Sequence, residues 1–409
     1  TSRARRVATD AASSQPGRMF NIVYYQDLRA AGAASALVRE SLECCLLKLA
    51  RGVYSVIRRC VNERHLLFAQ FIDNDEWIRY HEGREEREQQ GRDPALEARY
   101  REHLNRLRIL SYPSYRSGDA VWGVSAAYLH RIGMFDVPRG PISVIHPRDS
   151  SRTAEIERRR RPTCDDVEMH EGVVTTTPAR TAVDLISILG PAAGFAAMEQ
   201  VLRRHLLGDD EDLIFRLGYP PQLRDDVPGA VEELFSGPIS RMTRGSVRAK
   251  KLAKLVSPLS ESYAESRTSL LLHQLGLHEF VQQVTVFDGR KQLTRLDFLL
   301  NGPLKPDTAD GAGSFPDFAD GAGSFPAGRG AGARAKPRVA LYVDGTQKYA
   351  DGGFDTMNKE SRQHNRLLAM GYKVIRFKFN EVMSLFTFKQ KLFSQAPELK
   401  QLCDRHLLL

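Results

Sequence analysis

Three carboxylates and one lysine are the residues whose types and spacing point to chemistry. Glu265 lies in an amphipathic helical pattern, and Asp297 interrupts the strand-like run Thr294-Arg-Leu-Asp-Phe-Leu-Leu300. Asp344 ends a second such run, Val339-Ala-Leu-Tyr-Val-Asp-Gly345, and Lys348 follows one turn later. An ionised aspartate in an otherwise apolar strand is costly unless something pairs with it. A divalent cation would do so, because Mg2+ commonly takes one or two protein carboxylates and completes its shell with phosphate and water. Asp297 and Asp344 are then the candidate metal ligands, and Glu265 is an auxiliary carboxylate. A held ion lowers the pKa of a bound water and offsets charge on a departing oxygen, and Lys348 is placed to assist. For Glu265 a second reading stays open, that of a solvated helical carboxylate.

The elements that must position these residues are legible around them. Leu270, Leu271 and Leu275 recur at helical spacing beside Glu265, and Gly276 ends that helix. Strand periodicity puts Tyr342 and Asp344 on the same face. A helix from about Glu360 to Met370 stops at Gly371, and the closing strand carries Arg376 and Lys378 on one face with Ile375 and Phe377 on the other. Arg376 is a candidate to neutralise phosphate or to pair with Asp344. Between the acidic strands lies a decapeptide repeated in tandem, 307–316 and 317–326, within a Gly-, Ala- and Arg-rich segment. Its Asp-Gly pairs lack the ligand spacing of a calcium loop, so 302–337 is expected to be a disordered insertion in a hairpin. Just before the Glu265 helix, Arg244, Arg248, Lys250, Lys251 and Lys254 gather on a short helix, a phosphate-binding candidate or an exposed face with Leu252 and Leu255 turned inward.

This order of helix, acidic strand, hairpin, acidic strand, helix and strand resembles the PD-(D/E)XK nuclease core, in its very-short-patch-repair-like branch. The matching stretches are Glu265-Ser266, His273-Gln-Leu-Gly-Leu277, Leu296-Asp-Phe298, Tyr342-Val-Asp-Gly345 with Lys348-Tyr349, and Leu368-Ala-Met-Gly-Tyr-Lys-Val-Ile-Arg376. The resemblance implies weak Mg2+ binding as the cofactor chemistry. Tyr342 stands where the family has a glutamate, and His364-Asn365 where it has Glu-Asp. The expected ligand set is therefore short of one carboxylate. That implies a nuclease-like fold with lost or weakened catalysis; the alternative is an active Mg2+-dependent DNA endonuclease.

Near the other end, the helical pattern Tyr24–Ala31 stops at Gly32, a second runs from Ala34 to about Cys44, and strand-like Leu46–Arg51 and Val53–Ile57 follow. Helix, turn, helix and two-strand ribbon predict a winged helix-turn-helix. Leu28–Gly32 through Leu49-Ala-Arg-Gly-Val-Tyr54 is similar to the N-terminal domain of AbiEi-type antitoxins. In such a fold the second helix enters the major groove by its N-terminal end. Ser35, Arg39 and Glu40 are then candidate base readers, and Lys48 and Arg51 candidate phosphate contacts. The alternative is a module that only packs on its neighbour. In the middle, Ser117–His130 and Val173–Leu185 resemble the same family. There Thr177 and Pro178 suit a helix start and Arg180 with Asp184 an i,i+4 pair, so that motif is expected to be structural. Arg158–Arg161 reads as a phosphate contact or a solvated loop, and 73–106 as mixed-charge solvated helix.

The expected class is α/β multidomain: a basic tail at 1–18, a winged helix-turn-helix at 19–60, an α/β middle domain at 61–235 and a restriction-endonuclease-like α/β/α domain at 236–409. Prolines and the acidic run Gly208–Asp212 mark a boundary within 208–245. The basic tail admits a transit-peptide reading, which composition disfavours. A formal charge of +9 favours anionic partners such as DNA. No membrane-length apolar run or signal-peptide pattern occurs, so a cytoplasmic protein without a membrane partner is expected. The family resemblance adds a possible cognate toxin, and with it a third reading, a toxin-binding protein without DNA contact. The five cysteines show no CxxC spacing and are expected to be reduced thiols used in packing.

Overall fold

The computed structural model describes residues 20–90, 94–137, 139–161, 165–210, 212–214, 218–220, 222–289, 291–301, 338–344 and 354–403. The expected basic tail, Lys348 and the segment 302–337 lie outside the described residues. The chain divides into two compact units, Thr1–Arg131 with Pro138–Thr177, and Ile132–Val137 with Pro178–Leu409.

The first unit starts with β1 (Ile22–Tyr24), α1 (Tyr25–Ala30), α2 (Ser35–Ser41), β2 (Leu46–Ala50) and β3 (Val53–Val56). Gly32 takes φ +90°, which lets the chain turn sharply between the two helices. The strands form an antiparallel sheet in the order β1-β3-β2. Leu28 of α1, Leu37 and Val38 of α2, Leu46 and Val56 bury together, and Phe68 from the 3-10 helix Glu63–Phe71 joins them. Helices α3 (Asp75–Gln90) and α4 (Pro94–Leu110) follow. They are not only solvated: Trp77, Ile78, Tyr100 and Leu107 are buried. Trp77 stacks on Tyr80 at 5.5 Å and Arg84 lies 3.7 Å over the Tyr100 ring.

A six-stranded sheet completes this unit, from β4 (Ala120–Val121), β5 (Ile142–His146), β6 (Ser151–Arg152), β7 (Ile156–Arg160), β8 (Val167–His170) and β9 (Val173–Thr176), ordered β6-β7-β5-β4-β9-β8. Helix α5 (Val124–Leu129) packs on it through Ala126 and Leu129. The arginine run, expected as a phosphate contact or a solvated loop, is strand here. Arg158 turns inward and pairs with Asp119 at 3.0 Å, while Arg159 and Arg160 stay exposed. A buried guanidinium needs such a partner. Strand alternation puts Arg160 on the same face as Ile156 and Arg158, but it is the last residue of β7 and is exposed there.

The second unit holds α6 (Pro178–Ile188), α7 (Pro191–Leu207), α8 (Leu223–Ser240), α9 (Ser246–Ala253) and α10 (Tyr263–Gln274). Helix α8 runs where prolines predicted a break, with Pro228 and Pro238 inside it. Burial of Leu223, Ala230, Phe235, Pro238 and Ile239 offsets the hydrogen bonds the prolines remove. A mixed sheet follows, ordered β10 (Phe280–Asp288), β11 (Lys291–Leu300), β12 (Arg338–Asp344), β13 (Tyr372–Lys378), with α11 (Phe354–Ala369) between the last two strands in sequence. The β10-β11 and β11-β12 pairs are antiparallel and β12-β13 is parallel. Val339, Leu341 and Val343 bury on one face with Leu271 and Leu272 of α10, whereas Ala340 and Tyr342 bury on the other with Leu367 of α11. Helices α12 (Phe379–Val382) and α13 (Leu385–Gln395) and the 3-10 turn Pro397–Leu402 close the chain against the first face through Val382, Phe388, Leu392 and Leu399.

Candidate functional site

The acidic residues sit at one end of the four-stranded sheet and on the start of α10. Ser262 caps that helix by accepting from the Glu265 N–H at 3.2 Å, and its hydroxyl donates back to Glu265 Oε1 at 2.9 Å. Glu265 Oε2 accepts from the Glu261 N–H at 3.0 Å and from Gln283 Nε2 at 2.8 Å. Glu265 is therefore not a solvated carboxylate. It is buried, and its bonds to the Ser262 hydroxyl and the Glu261 N–H tie it to the helix start. Burial, and then the nearby charge of Asp297, hold its carboxyl above the ordinary range.

Asp297 accepts from the Val343 N–H at 2.7 Å, just beyond the last β11-β12 pair, Phe298 and Leu341. Its carboxylate replaces a main-chain acceptor at the point where the strands part. Asp344 is buried and pairs with Arg376 at 3.5 Å. Arg376 also lies 4.9 Å over the Tyr342 ring, and the Tyr342 hydroxyl is 3.0 Å from Thr294 Oγ1. The position expected of a third acid is thus held by a packed, hydrogen-bonded phenol. Glu265 and Asp297 come within each other's electrostatic reach, and Asp344 stands on the strand beside Asp297. Among the described residues, the three carboxylates do not form a group whose donor atoms all lie within 4.8 Å of one another.

A further acid extends this polar cluster. Glu199 of α7 is fully buried; its Oε1 accepts from the Ser257 N–H at 2.9 Å, with the Ser260 and Ser266 hydroxyls beside it. Burial, helped by the Glu265 charge and opposed by the bonds from Ser260, Ser266 and Ser257, pushes its carboxyl up to about 8. Sequence reading missed Glu199, because its neighbours come from segments more than fifty positions away. Its one local signal is a glutamate inside the apolar run Phe195–Leu202.

The nucleic-acid candidates divide cleanly by exposure. Ser35 and Arg39 of α2 are exposed, as are Lys48 of β2 and Arg51 in the turn beyond it. The Ser35 hydroxyl lies 2.7 Å from that of Tyr25, and the Arg51 N–H donates to Glu155 at 2.6 Å. Glu40, half-exposed, pairs with Arg64 at 3.2 Å and lies 3.4 Å from His65. Arg244 and, on or just after α9, Arg248, Lys250, Lys251 and Lys254 are exposed, while Ala249 and Leu252 face inward. Leu255, expected inward, is half-buried.

Two groups of described residues do converge in the manner of metal ligands. One is His130, Glu168 and His170; the other is Cys44, Cys45, Cys60 and His65. The first has a structural assignment in part, since the His130 ring bonds the Thr176 carbonyl at 2.6 Å. The second was invisible to motif spacing, because adjacent cysteines and a Cys-x4-His pair fit no familiar ligand pattern.

No helix among the described residues is long and apolar enough to cross a membrane. No curated protein and no solved structure gives a significant match to the chain. Residues 120–214, which include His130, the buried Arg180–Asp184 ion pair and Glu199, match the family model of the AbiEi antitoxin C-terminal domain.

Proposed function

We propose that the chain is a DNA-binding, AbiEi antitoxin-like protein that works with a cognate toxin and carries a nuclease-fold module with lost or weakened catalysis. The observation that carries the reading is the first unit's helix-turn-helix. Helix α2 presents Ser35 and Arg39 at its surface, while the β2-β3 hairpin behind it presents Lys48 and Arg51. That arrangement supports a winged helix-turn-helix, with α2 entering a major groove and the hairpin touching phosphate. The antitoxin-domain match over 120–214 supports the toxin partnership.

In the second unit, a four-stranded sheet with α10 on one face and α11 on the other supports the nuclease-like reading. Tyr342, packed under Arg376 and bonded to Thr294, removes one carboxylate from a set that would otherwise grip a divalent ion. The exposed cations of α9 add a second phosphate-binding surface.

The test is duplex binding by the full chain across a salt series. Affinity should fall steeply with salt, Arg51→Ala should reduce the log–log slope by about one, and Asp297→Ala should leave binding unchanged. Absence of binding at low salt refutes DNA recognition and leaves the toxin-binding role alone.

A second reading, a Mg2+-dependent DNA endonuclease, is favoured by one observation. Asp297 and Asp344 occupy neighbouring strands at the same sheet end, with Glu265 in electrostatic reach. Such a site would use Asp297 and Asp344 as ligands with Lys348 polarising water or phosphate. Metal-dependent nicking lost in Asp344→Ala supports it; no cleavage with Mg2+ or Mn2+ on varied duplexes rejects it. Tyr342→Glu discriminates further, since gained cleavage identifies an intact scaffold lacking one ligand.

A further inference from the structure

Cys44 and Cys45 follow the end of α2, Cys60 follows β3, and His65 lies in the 3-10 helix Glu63–Phe71. These elements bring four donor atoms around one point. Cys44 Sγ is 3.7 Å from Cys45 Sγ and 3.7 Å from Cys60 Sγ. His65 Nδ1 is 3.2 Å from Cys44 Sγ, 3.8 Å from Cys45 Sγ and 3.4 Å from Cys60 Sγ. A tetrahedral zinc ion with Zn–S near 2.3 Å and Zn–N near 2.0–2.1 Å has edges of about 3.8 Å between sulfurs and about 3.6 Å between sulfur and nitrogen. These five separations lie within about 0.4 Å of those edges, and all four donor atoms fall within 4.8 Å of one another.

The remaining contacts agree. Cys45 is fully buried and His65 nearly so. His65 Nε2, on the far side of the ring, makes no hydrogen bond of ordinary geometry and lies 3.4 Å from Glu40 Oε1. A histidine that ligates through one nitrogen commonly directs the other at a carboxylate, which fixes the ring and raises its basicity. Without a cation, three thiols, each a weak donor, crowd a single imidazole acceptor and can satisfy it only once. Three thiolates and one imidazole are a donor set suited to zinc, and four protein ligands leave no open position for a substrate.

We infer that Cys44, Cys45, Cys60 and His65 form a closed tetrahedral zinc site in the first unit, with Glu40 positioning His65. The ion ties the exit of α2 to the segment after β3 and to the 3-10 helix. It thereby fixes the helix that carries Ser35 and Arg39. The inference does not depend on whether that helix meets DNA.

The test is the metal content of the full chain purified after expression in zinc-supplemented medium, with no metal-affinity tag. One zinc per chain is expected, retained in Cys403→Ser and lost in Cys60→Ser and His65→Ala. Cobalt substitution of the wild-type chain, which needs no variant to fold, gives an independent reading: thiolate charge-transfer bands with intense tetrahedral ligand-field bands. Glu40→Gln keeps all four ligands and should weaken zinc about 10–100-fold in competition with a chromophoric chelator. Zinc-free protein with freely titrating thiols, a disulfide among these cysteines, or full zinc retention in Cys60→Ser each overturns the site.

Discussion

Glu199→Gln should flatten the pH dependence of stability in the second unit. The Glu199 carboxyl is buried, with Ser257 and Ser260 facing it from the segment before α10 and Ser266 and Glu265 from α10 itself. Arg203, one turn along α7, is turned instead to the Pro258 carbonyl and to Glu261. Burial pushes Glu199 up to about 8, whereas an unfolded glutamate titrates near 4.3. The folded state therefore holds this proton more tightly. The linked stability is fully present below about pH 4 and is lost as pH rises through about 8. At 1.36 kcal/mol per unit, going from pH 5 to pH 9 removes about 4 kcal/mol, or about 2–4 kcal/mol once local relaxation is allowed for. Glu265 shifts in the same direction and adds to the loss. Glutamine keeps the shape and cannot ionise, so the variant should match wild type near pH 5 and exceed it by about 2–4 kcal/mol at pH 9. The two tryptophans, Trp77 and Trp122, both lie in the other unit, so their fluorescence is the wrong probe. Hydrogen exchange of α7 and α10 amides in a urea series, corrected for intrinsic rates, reads the right one. Parallel stability–pH curves for the two proteins would refute the reasoning.

Three further substitutions probe packing. Arg158→Ala leaves the Asp119 charge buried without its guanidinium and should cost about 3–5 kcal/mol by urea unfolding, partly recovered by the double variant with Asp119→Ala. Gly194→Ala puts a methyl 2.2 Å from Ile186 Cγ1 and 2.7 Å from the Ile186 nitrogen, so α6 and α7 must separate, at about 1–3 kcal/mol or more; unchanged stability would show that the helices already yield there. Leu271→Ala empties a fully buried position between α10 and the sheet and should destabilise by about 2–5 kcal/mol, with the loss confined to exchange of second-unit amides.

Local signals carried much of the architecture. Gly32, Gly276 and Gly371 all take positive φ at the ends of helices they were expected to stop. Period-two alternation placed Ile375 and Phe377 on a core face opposite Arg376. What local signals missed was decided by distant partners. Pro228 and Pro238 announce a break, yet apolar burial along α8 outweighs them. Arg158 reads as solvated until Asp119, far off in sequence, is seen to neutralise it. At the candidate sites, residue types pointed to Asp297 and Asp344, but nothing local revealed Glu199 or the meeting of Cys44, Cys45 and Cys60 with His65. The N-cap pattern Ser262-x-x-Glu265 was legible in principle, and its hydrogen bonds give Glu265 a structural role.

Leu300 and Val339 are opposed across the β11-β12 ladder, so the chain leaves the sheet and re-enters it at adjacent points however many residues intervene. Registration of the two strands is consequently owed to Phe298, Leu299 and Leu300 against Leu341, Ala340 and Val339, and not to the linkage. Closing entropy changes by only about 0.6 kcal/mol for each doubling of such a span. Tandem duplication of ten residues at 307–326 is the kind of length drift this junction can absorb, and trimming it to a tight turn should leave the sheet's alignment as it is.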